Sequence, residues 1–299
     1  MATRKLTLGY LYPDIMCAYG DRGNVSALVR RCGWRGITTE VWELRLGDPV
    51  DADEVDLLVI GNGGEFHQRL IAPDLAERKA PGICEAVSQG AALLAAGAGY
   101  ELMGRFYQPG KGVELPGAGL FDTWTIQHGD DLTTALPTIA EARAGRAIGD
   151  LLVRWGDELL VGFENHSAKT YLGPTARALG HVILGQGNNG DGREGVRLGC
   201  AVGTYLRGPC LPSNPSLADF LIRGALMRRY EEAELEPLPD ELERAARQTA
   251  VTRLQAAAPA GRRRGLGRRR ARGYLREGSA FIPHSAGRTG KQLIFPTLI

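Results

Sequence analysis

The fold class is decided by Val55-Asp-Leu-Leu-Val-Ile60, which runs directly into Gly61-Asn-Gly-Gly64. An apolar, β-branched run of this length predicts a strand buried on both faces, as in the centre of a parallel sheet. The glycines that follow predict a tight turn at the strand's carboxyl end. The pattern recurs where the short apolar stretch Ala91–Ala96 runs into Gly97-Ala-Gly99. Two buried strands ending in glycine turns indicate a sheet whose carboxyl edge carries a site.

The sequence around these strands alternates between strand and helix. Strands are predicted at Lys5–Tyr12 and Ile37–Leu44, with helices from an N-cap at Asn24 to about Cys32 and across residues 72–89. This alternation predicts an α/β fold with a doubly wound parallel sheet, in which right-handed crossovers bring both glycine turns to one edge. Further elements are predicted, namely strands at Leu151–Trp155, Leu159–Phe163 and His181–Leu184 and an amphipathic helix at Pro215–Tyr230.

The bulk composition is that of an ordinary globular protein. The 299 residues are 43% hydrophobic and 23% charged, with a formal net charge of +2. A net charge this small does not produce a positive electrostatic potential over the whole chain that would attract nucleic acid, so no nucleic-acid partner is expected. No apolar run reaches ~18 residues, so no membrane span is expected, and the apolar part of the chain's start is too short for a signal peptide. We therefore expect a cytoplasmic protein whose five cysteines are free thiols.

The composition changes near residue 250. The predicted organisation is a main domain at 1–235, a C-terminal helix at 236–256 and an Arg-rich tail at 257–299 that is expected to be disordered and dispensable for folding. A basic tail can contact an anionic surface, although most such runs are simply solvated. Its Arg/Gly/Ala/Pro-rich composition also fits out-of-frame reading of a GC-rich gene, and the sequence leaves that alternative open.

Several motifs, in order across residues 5–235, resemble one family. They are Leu11-Tyr-Pro-Asp14, Tyr19-Gly-Asp-Arg-Gly-Asn24, Gly162-Phe-Glu-Asn-His166, Gly185-Gln-Gly-Asn-Asn189, Glu194-Gly195, Gly203-Thr-Tyr-Leu206 and Gly208-Pro209. The family is the cobyric-acid-synthase-like class I glutamine amidotransferases. Within it the motifs are most similar to the GatD group, the glutaminase subunits of lipid II isoglutaminyl synthase.

The resemblance implies a flavodoxin-like class I amidotransferase fold. It also implies a role in releasing ammonia from glutamine and passing it to a Mur-ligase-like (MurT-like) partner in a heterodimer. That partner would use ATP and Mg²⁺ to amidate the D-glutamate α-carboxylate of the peptidoglycan stem peptide. No cofactor or metal is expected in this chain itself.

The two residues that carry the family's chemistry are absent. Hydrolysis through a thioester needs a nucleophile on a sharp strand-to-helix turn and a base to form the thiolate. Members of the family have the sequence Cys-Gly-Gly-Tyr-Gln at that turn, where this chain has Gly97-Ala-Gly-Tyr-Glu101. The family's base is the His of Gly-Thr-Tyr-Leu-His-Gly-Pro, and Arg207 stands in its place. Because an arginine stays protonated, it cannot accept the proton.

The remaining candidate site residues follow from the same resemblance. Gly61, Gly63, Gly64 and Ala98 correspond to the loop and turn whose backbone amides would stabilise an oxyanion. Arg146 fits a family arginine that holds glutamine. With both chemical groups gone, glutaminase activity is expected to be lost or impaired, while weak binding of glutamine remains open.

Three other readings stay open. A relocated nucleophile–base pair would use Cys210 with His67 or His166, because Cys84 lies on a predicted helix and not at the turn. A free cysteine is, however, more often a small packed hydrophobe. The chain could instead be a non-catalytic binding or scaffolding module, or a decaying copy of an amidotransferase.

Overall fold

The computed structural model describes residues 4–127, 146–232 and 234–257. Its strands are β1 (Lys5–Leu11), β2 (Thr38–Leu44), β3 (Leu57–Ile60), β4 (Ala92–Ala96), β5 (Phe106–Gln108), β6 (Leu115–Pro116), β7 (Thr123–Ile126), β8 (Ala147–Trp155), β9 (Glu158–His166), β10 (Lys169–Leu172), β11 (Gly180–Leu184), β12 (Arg193–Glu194), β13 (Val196–Leu198) and β14 (Ala201–Thr204). Its helices are α1 (Arg22–Gly33), α2 (Glu65–Asp74), α3 (Ala80–Ser88), α4 (Ala98–Met103), α5 (Cys210–Ser213), α6 (Pro215–Tyr230) and α7 (Glu241–Ala257), and a π-helical turn (Leu75–Lys79) joins α2 to α3.

The central sheet has the strand order β13-β14-β4-β3-β1-β2. All pairs from β14 to β2 are parallel, and only the edge strand β13 is antiparallel. The parallel part is therefore the 2-1-3-4-5 order of flavodoxin-like sheets, which confirms the predicted fold class. Every residue of β3, β4 and β14 is buried, as expected for strands covered on both faces.

Two smaller sheets flank this core, with strand orders β10-β7-β5-β6 and β12-β11-β8-β9. The first consists of short strands, and its pairs β10–β7 and β5–β6 are antiparallel. The second is built on the β8–β9 hairpin, which pairs all nine residues of each strand. Strand β9 and the chain after β14 meet in an isolated bridge between Phe163 and Arg207. The small sheets thus close over the carboxyl edge of the central sheet.

The predicted helix start at Asn24 is wrong. Helix α1 begins at Arg22, and Asp21 is its N-cap residue. Asn24 is buried in the first turn, where its side-chain oxygen accepts a hydrogen bond of 3.0 Å from the backbone N–H of Leu211. Its polar side chain therefore joins α1 to α5 across the fold instead of capping its own helix.

The helix across 72–89 is longer than predicted. It starts at Glu65, immediately after the glycine loop, and continues through the π-helical turn to Ser88. Pro73 lies inside α2, and because proline removes a backbone donor, the hydrogen-bond ladder changes register just beyond it. The early start places the first turn of α2 beside the site.

The segment after α6 is tied to the domain by a buried charge network. Arg31 donates to both carboxylate oxygens of Asp219, at 2.8 and 2.9 Å, and to both of Asp240, at 2.7 and 2.8 Å. Arg35 adds a bond of 2.8 Å to Asp219. Helix α7 follows, and its Val251 and Leu254 are buried in a small cluster with β8, β9 and β11. The C-terminal helix predicted at 236–256 is therefore shorter at its start, since α7 covers Glu241–Ala257 and lies against the main domain. Residues 258–299 of the predicted 257–299 tail fall outside the described residues.

Candidate functional site

The centre of the site is the turn from β4 into α4. Gly97 forms this turn with φ +54° and ψ −118°, a conformation that side-chain-bearing residues rarely adopt. Its N–H donates to the carbonyl of Thr204 at 2.9 Å, and its own carbonyl accepts from the N–H of Glu101 at 3.0 Å. Such strained strand-to-helix turns expose a nucleophile in hydrolases. In this chain the turn is intact and carries no nucleophile.

The side chain of Asn62 fills the space beside the turn. Its Oδ1 accepts a hydrogen bond of 2.7 Å from the backbone N–H of Ala98. A Cβ added at Gly97 would lie 2.3 Å from that same oxygen. Ala98 is the residue whose N–H would be expected to stabilise an oxyanion. That donor is therefore already occupied by a carboxamide of the chain itself.

Arg207 takes up the base position. Its backbone pairs with Phe163, and the residue as a whole is 6% exposed. Its guanidinium carbon lies 5.3 Å from the centroid of the Tyr19 ring, a cation–π distance. Its Nε and Nη2 each lie 2.9 Å from the position that a Cβ of Gly97 would occupy. A permanent cation, not a proton acceptor, thus faces the turn.

Two buried carboxyl groups influence the electrostatics near Arg207. Burial raises the pKa of Asp21 to about 6, although the hydrogen bond from the Asn62 N–H and the charge of Arg207 act to lower it. Burial also raises the pKa of Glu101, against the opposing effects of Arg207, His166 and hydrogen bonds. The hydrogen bonds to Glu101 come from Gln68 at 2.7 Å and from the Tyr205 hydroxyl at 3.1 Å.

A pocket of about 490 Å³ opens over these groups. Of the predicted site residues, Gly63, Gly64, Ala98, Arg146 and Arg207 line it. Gly97 lies directly beside its wall.

Gly61 lies beneath the pocket. Its carbonyl accepts from the N–H of Gly99 at 3.1 Å, and a Cβ on Gly61 would collide with the backbone oxygen of Met16 at 2.3 Å. The glycine at this position thus allows the loop after β1 to approach.

The alternative cysteine–histidine pairs are not brought together. Cys210 is fully buried, its Sγ faces Asn24, and burial raises its pKa to about 12. The Sγ of Cys84 faces the carbonyl of Ala118, and burial raises its pKa too. Neither cysteine lines the pocket, so the structure places neither thiol beside the turn at Gly97.

The two histidines of that alternative have different positions. His67 lies in the first turn of α2, where its Nδ1 accepts from the N–H of Gly64 at 3.0 Å. His166 lines the pocket, and its Nδ1 donates to the carbonyl of Ala168 at 2.8 Å. Its Nε2 has no hydrogen-bond partner in the described residues.

The family motifs that remain have visible structural roles. The carboxylate of Glu194 accepts hydrogen bonds from the Thr204 hydroxyl at 2.6 Å and from the Tyr205 N–H at 2.8 Å. Glu164 accepts from the backbone N–H groups of Gln186 and Gly187 at 2.7 and 2.9 Å. These contacts hold the loops around the pocket. These residues of the family motifs therefore build the walls of the pocket.

Some residues of the site were not identified from the sequence. The sequence presents Asn62 only as part of a glycine loop and gives no signal that its side chain occupies the Ala98 N–H. Glu101 stands where the family motif has glutamine, a departure that could have marked it. Tyr19 and Asn165 contact the two arginines of the pocket. Apart from their place in a family motif, nothing in the sequence indicates this role.

The buried carboxyl of Asp21 should make the stability of the fold depend on pH. Because its pKa rises from 3.8 to about 6 on folding, the folded state holds this proton more tightly. The contribution of this proton to stability is therefore fully present below about pH 4 and is lost as the pH rises through about 6. A shift of this size corresponds to roughly 3 kcal/mol. Asp21→Asn keeps an acceptor for the Asn62 N–H, so it should gain about that much relative to wild type between pH 4 and pH 7.

Urea unfolding of both proteins across that pH range measures the difference. Asp157→Asn, at an exposed turn residue, is the matched control and should show no such trend. A difference between wild type and Asp21→Asn that does not change with pH would contradict the prediction.

Neither a metal centre nor a membrane helix is found in the part of the chain that the structure describes. No three His, Cys, Asp or Glu side chains there are arranged to hold a metal ion. None of the helices in the described ranges is long and apolar enough to cross a bilayer.

The fold and this site define a glutamine amidotransferase of class I architecture. The model of the CobB/CobQ-like glutamine amidotransferase domain matches residues 7–215, and the chain belongs to that family. It is 33% identical over 252 residues to the GatD subunit of the glutamine-hydrolysing lipid II isoglutaminyl synthase of Staphylococcus aureus (strain N315), an alignment covering 83% of this chain and 96% of that protein. The GatD subunit of Streptococcus pneumoniae (strain ATCC BAA-255 / R6) is 31% identical over 229 residues, covering 76% and 82% respectively.

Likeness to solved structures is more distant. The structure of PurLQS from Thermotoga maritima aligns with a TM-score of 0.47 and 14% identity, over 75% of this chain and 98% of that chain. The fold class rests on the strand order of the central sheet, not on that alignment.

Proposed function

We propose that this chain is a GatD-type subunit of a lipid II isoglutaminyl synthase that no longer hydrolyses glutamine. The single observation that carries the loss is the turn at Gly97, which has no nucleophile, faces the cation Arg207 and has its neighbouring amide capped by Asn62. In a comparable nucleophile–base system, removal of those groups lowers kcat by about 10⁶-fold. The GatD-type role is supported by the identity to two GatD subunits over most of their length.

The proposed partner is a Mur-ligase-like (MurT-like) subunit that holds ATP and Mg²⁺ and amidates the stem-peptide D-glutamate in the cytoplasm. Retention of the subunit is supported by the contacts of Glu164 and Glu194, which keep the loops around the pocket in place. With no ammonia released from glutamine, the complex would take its nitrogen from free ammonium.

Co-expression with the Mur-ligase-like protein of the same organism tests the partnership. We expect one heterodimer peak on size-exclusion chromatography. A stable monomer alone would contradict the partnership and favour a decaying copy of the gene.

An amidation assay on the purified complex tests the nitrogen source. Ammonium should support ATP-dependent amidation, and glutamine should not. Amidation that glutamine supports as well as ammonium does would overturn the loss of hydrolysis.

A further inference from the structure

Strand β2 is an open edge of the central sheet. It pairs with β1 along its whole length of 7 residues, and no strand of the described residues pairs with its other side. All of its residues except Leu44 are at least partly exposed, whereas every residue of β3 and β4 is buried. A strand in this position presents a row of backbone N–H and C=O groups that can bind a further strand.

The described residues of β2 lack the features that usually protect an edge strand. The strand contains no proline and no lysine, and no bulge interrupts its register with β1. Its two glutamates are already paired. Glu40 contacts Lys5 at 2.5 Å, and Glu43 contacts Arg45 at 2.6 Å. The opposite edge strand, β13, differs because it has 3 residues and makes an isolated bridge on its outer side.

The backbone groups of β2 that face away from β1 belong to Thr39, Val41 and Glu43. In a strand, the backbone groups of alternate residues point to opposite sides. The N–H of Thr38 bonds to the chain at the start of β1, and the carbonyl of Leu44 accepts a bond from the chain just after β1. The residues that alternate with this set therefore direct their N–H and C=O groups outward.

An antiparallel pair of two β2 strands centred on Val41 uses all of these outward groups. Val41 then lies opposite Val41 of the second copy, and Thr39 lies opposite Glu43. Each opposed pair exchanges two hydrogen bonds, which gives about six in all. No like charges lie opposite each other in this register, and the side chain of Val41, which is 38% exposed in the single chain, is covered.

Exposed apolar side chains on either side of β2 fit the same register. Trp34 precedes the strand and is 59% exposed, and Leu46 follows it and is 48% exposed. Antiparallel pairing brings the start of one strand to the end of the other. The segment that carries Trp34 in one copy therefore comes beside the segment that carries Leu46 in the second copy. Apolar contacts at both ends would then add to the hydrogen bonds in the middle.

We propose that this chain forms a homodimer in which two β2 strands pair antiparallel about Val41 and continue the central sheet from one copy into the other. A second copy is the occupant because the edge complements itself, both in its outward hydrogen-bonding groups and in its apolar ends. The dimer is weak and depends on concentration, because a single pair of strands with few flanking contacts is a small interface.

The proposed dimer leaves the pocket open. The pocket lies over the ends of β3, β4 and β14, where Gly64, Ala98 and Arg207 line it, and β2 is the edge of the sheet away from β14. The dimer therefore does not rest on the proposed function. It is also compatible with the heterodimer expected on size-exclusion chromatography, because dilution on the column dissociates so weak a contact.

Sedimentation velocity of the full-length chain between about 1 and 200 µM tests the proposal. We expect an equilibrium between monomer and dimer with a Kd in the micromolar range. Val41→Lys places two like charges opposite each other at the two-fold axis and should raise this Kd about tenfold or more. Val113→Lys alters an apolar side chain that is 76% exposed outside β2. It is the matched control and should leave the Kd unchanged.

Val41→Cys locates the contact. In a Cys17→Ser background it should form an intermolecular disulfide on mild oxidation, because opposed residues of a hydrogen-bonded antiparallel pair have Cα atoms about 5.5 Å apart. Val113→Cys in the same background is the control and should stay monomeric. A parent chain that sediments as a monomer at every concentration would overturn the proposal, and so would a dimer that Val41→Lys does not weaken or that Val41→Cys does not cross-link. Glutamine hydrolysis and co-purification are measured separately, so such a failure leaves the proposed function intact.

Discussion

A variant combining Asn62→Gly, Gly97→Cys, Ala98→Gly and Arg207→His should form a covalent adduct at position 97 with a diazoketone analogue of glutamine, whereas the parent chain should not. The turn at Gly97 already has the φ and ψ values of an exposed nucleophile. Placing a thiol and an imidazole there restores the covalent route, and the change at Ala98 frees the turn. Holding cysteine in this conformation costs about 1–3 kcal/mol, which a domain of ordinary stability tolerates.

Replacement of Asn62 is essential to this design. With Asn62 retained, a Cβ at position 97 lies 2.3 Å from its Oδ1, and the Ala98 N–H remains capped. The triple variant without Asn62→Gly is therefore the matched control and should react far more slowly. The backbone N–H of residue 62 still bonds to Asp21 after the change, so the loop should keep its position.

Intact-mass measurement and peptide mapping give the readout. All proteins should carry Cys17→Ser, since Cys17 is an exposed thiol that could react nonspecifically. An adduct on the otherwise unmodified parent at Cys84 or Cys210 would overturn the proposal that this chain does not hydrolyse glutamine. A folded quadruple variant that stays unlabelled at position 97 would show that the turn does not function as an amidotransferase elbow.

The parallel sheet could be predicted because its signals are local. Buried strands such as Leu57–Ile60 are apolar without alternation and end in glycines. The hydrophobic pattern and the turn residues are therefore enough to predict them. The positions of Gly97 and Arg207 could be predicted because the flanking motif residues fix the register. These two residues lie close together because β14 pairs with β4, and a doubly wound parallel sheet brings the carboxyl ends of neighbouring strands to the same edge.

The roles of Asn24 and Asn62 could not be predicted for a shared reason. An asparagine near a turn is locally a cap or a turn residue, and that is how the sequence presents both. In the structure each side chain instead bonds to backbone distant in sequence, Asn24 to Leu211 and Asn62 to Ala98. Such partners depend on how helices and sheet pack together, and the local sequence pattern contains no information about that packing.

Arg31→Met should produce the largest loss of stability among single substitutions outside the site. Arg31 makes four hydrogen bonds to Asp219 and Asp240 and is 4% exposed. Removing it leaves two largely buried carboxylates without their main counter-charge. Breaking a buried pair in this way costs about 3–5 kcal/mol, equivalent to a fall in Tm of roughly 10 °C for a domain of this size.

The neighbouring arginine provides the matched control. Arg30 lies in the same turn of α1 but is exposed, so Arg30→Met should change the free energy of unfolding by less than about 0.5 kcal/mol. Urea unfolding at neutral pH measures both variants. Because Asp240 precedes α7, hydrogen exchange should also show α7 exchanging faster in Arg31→Met. Equal stability of the two variants would mean that α7 is held by its apolar contacts with β8 and β9, and not by the charge network beneath it.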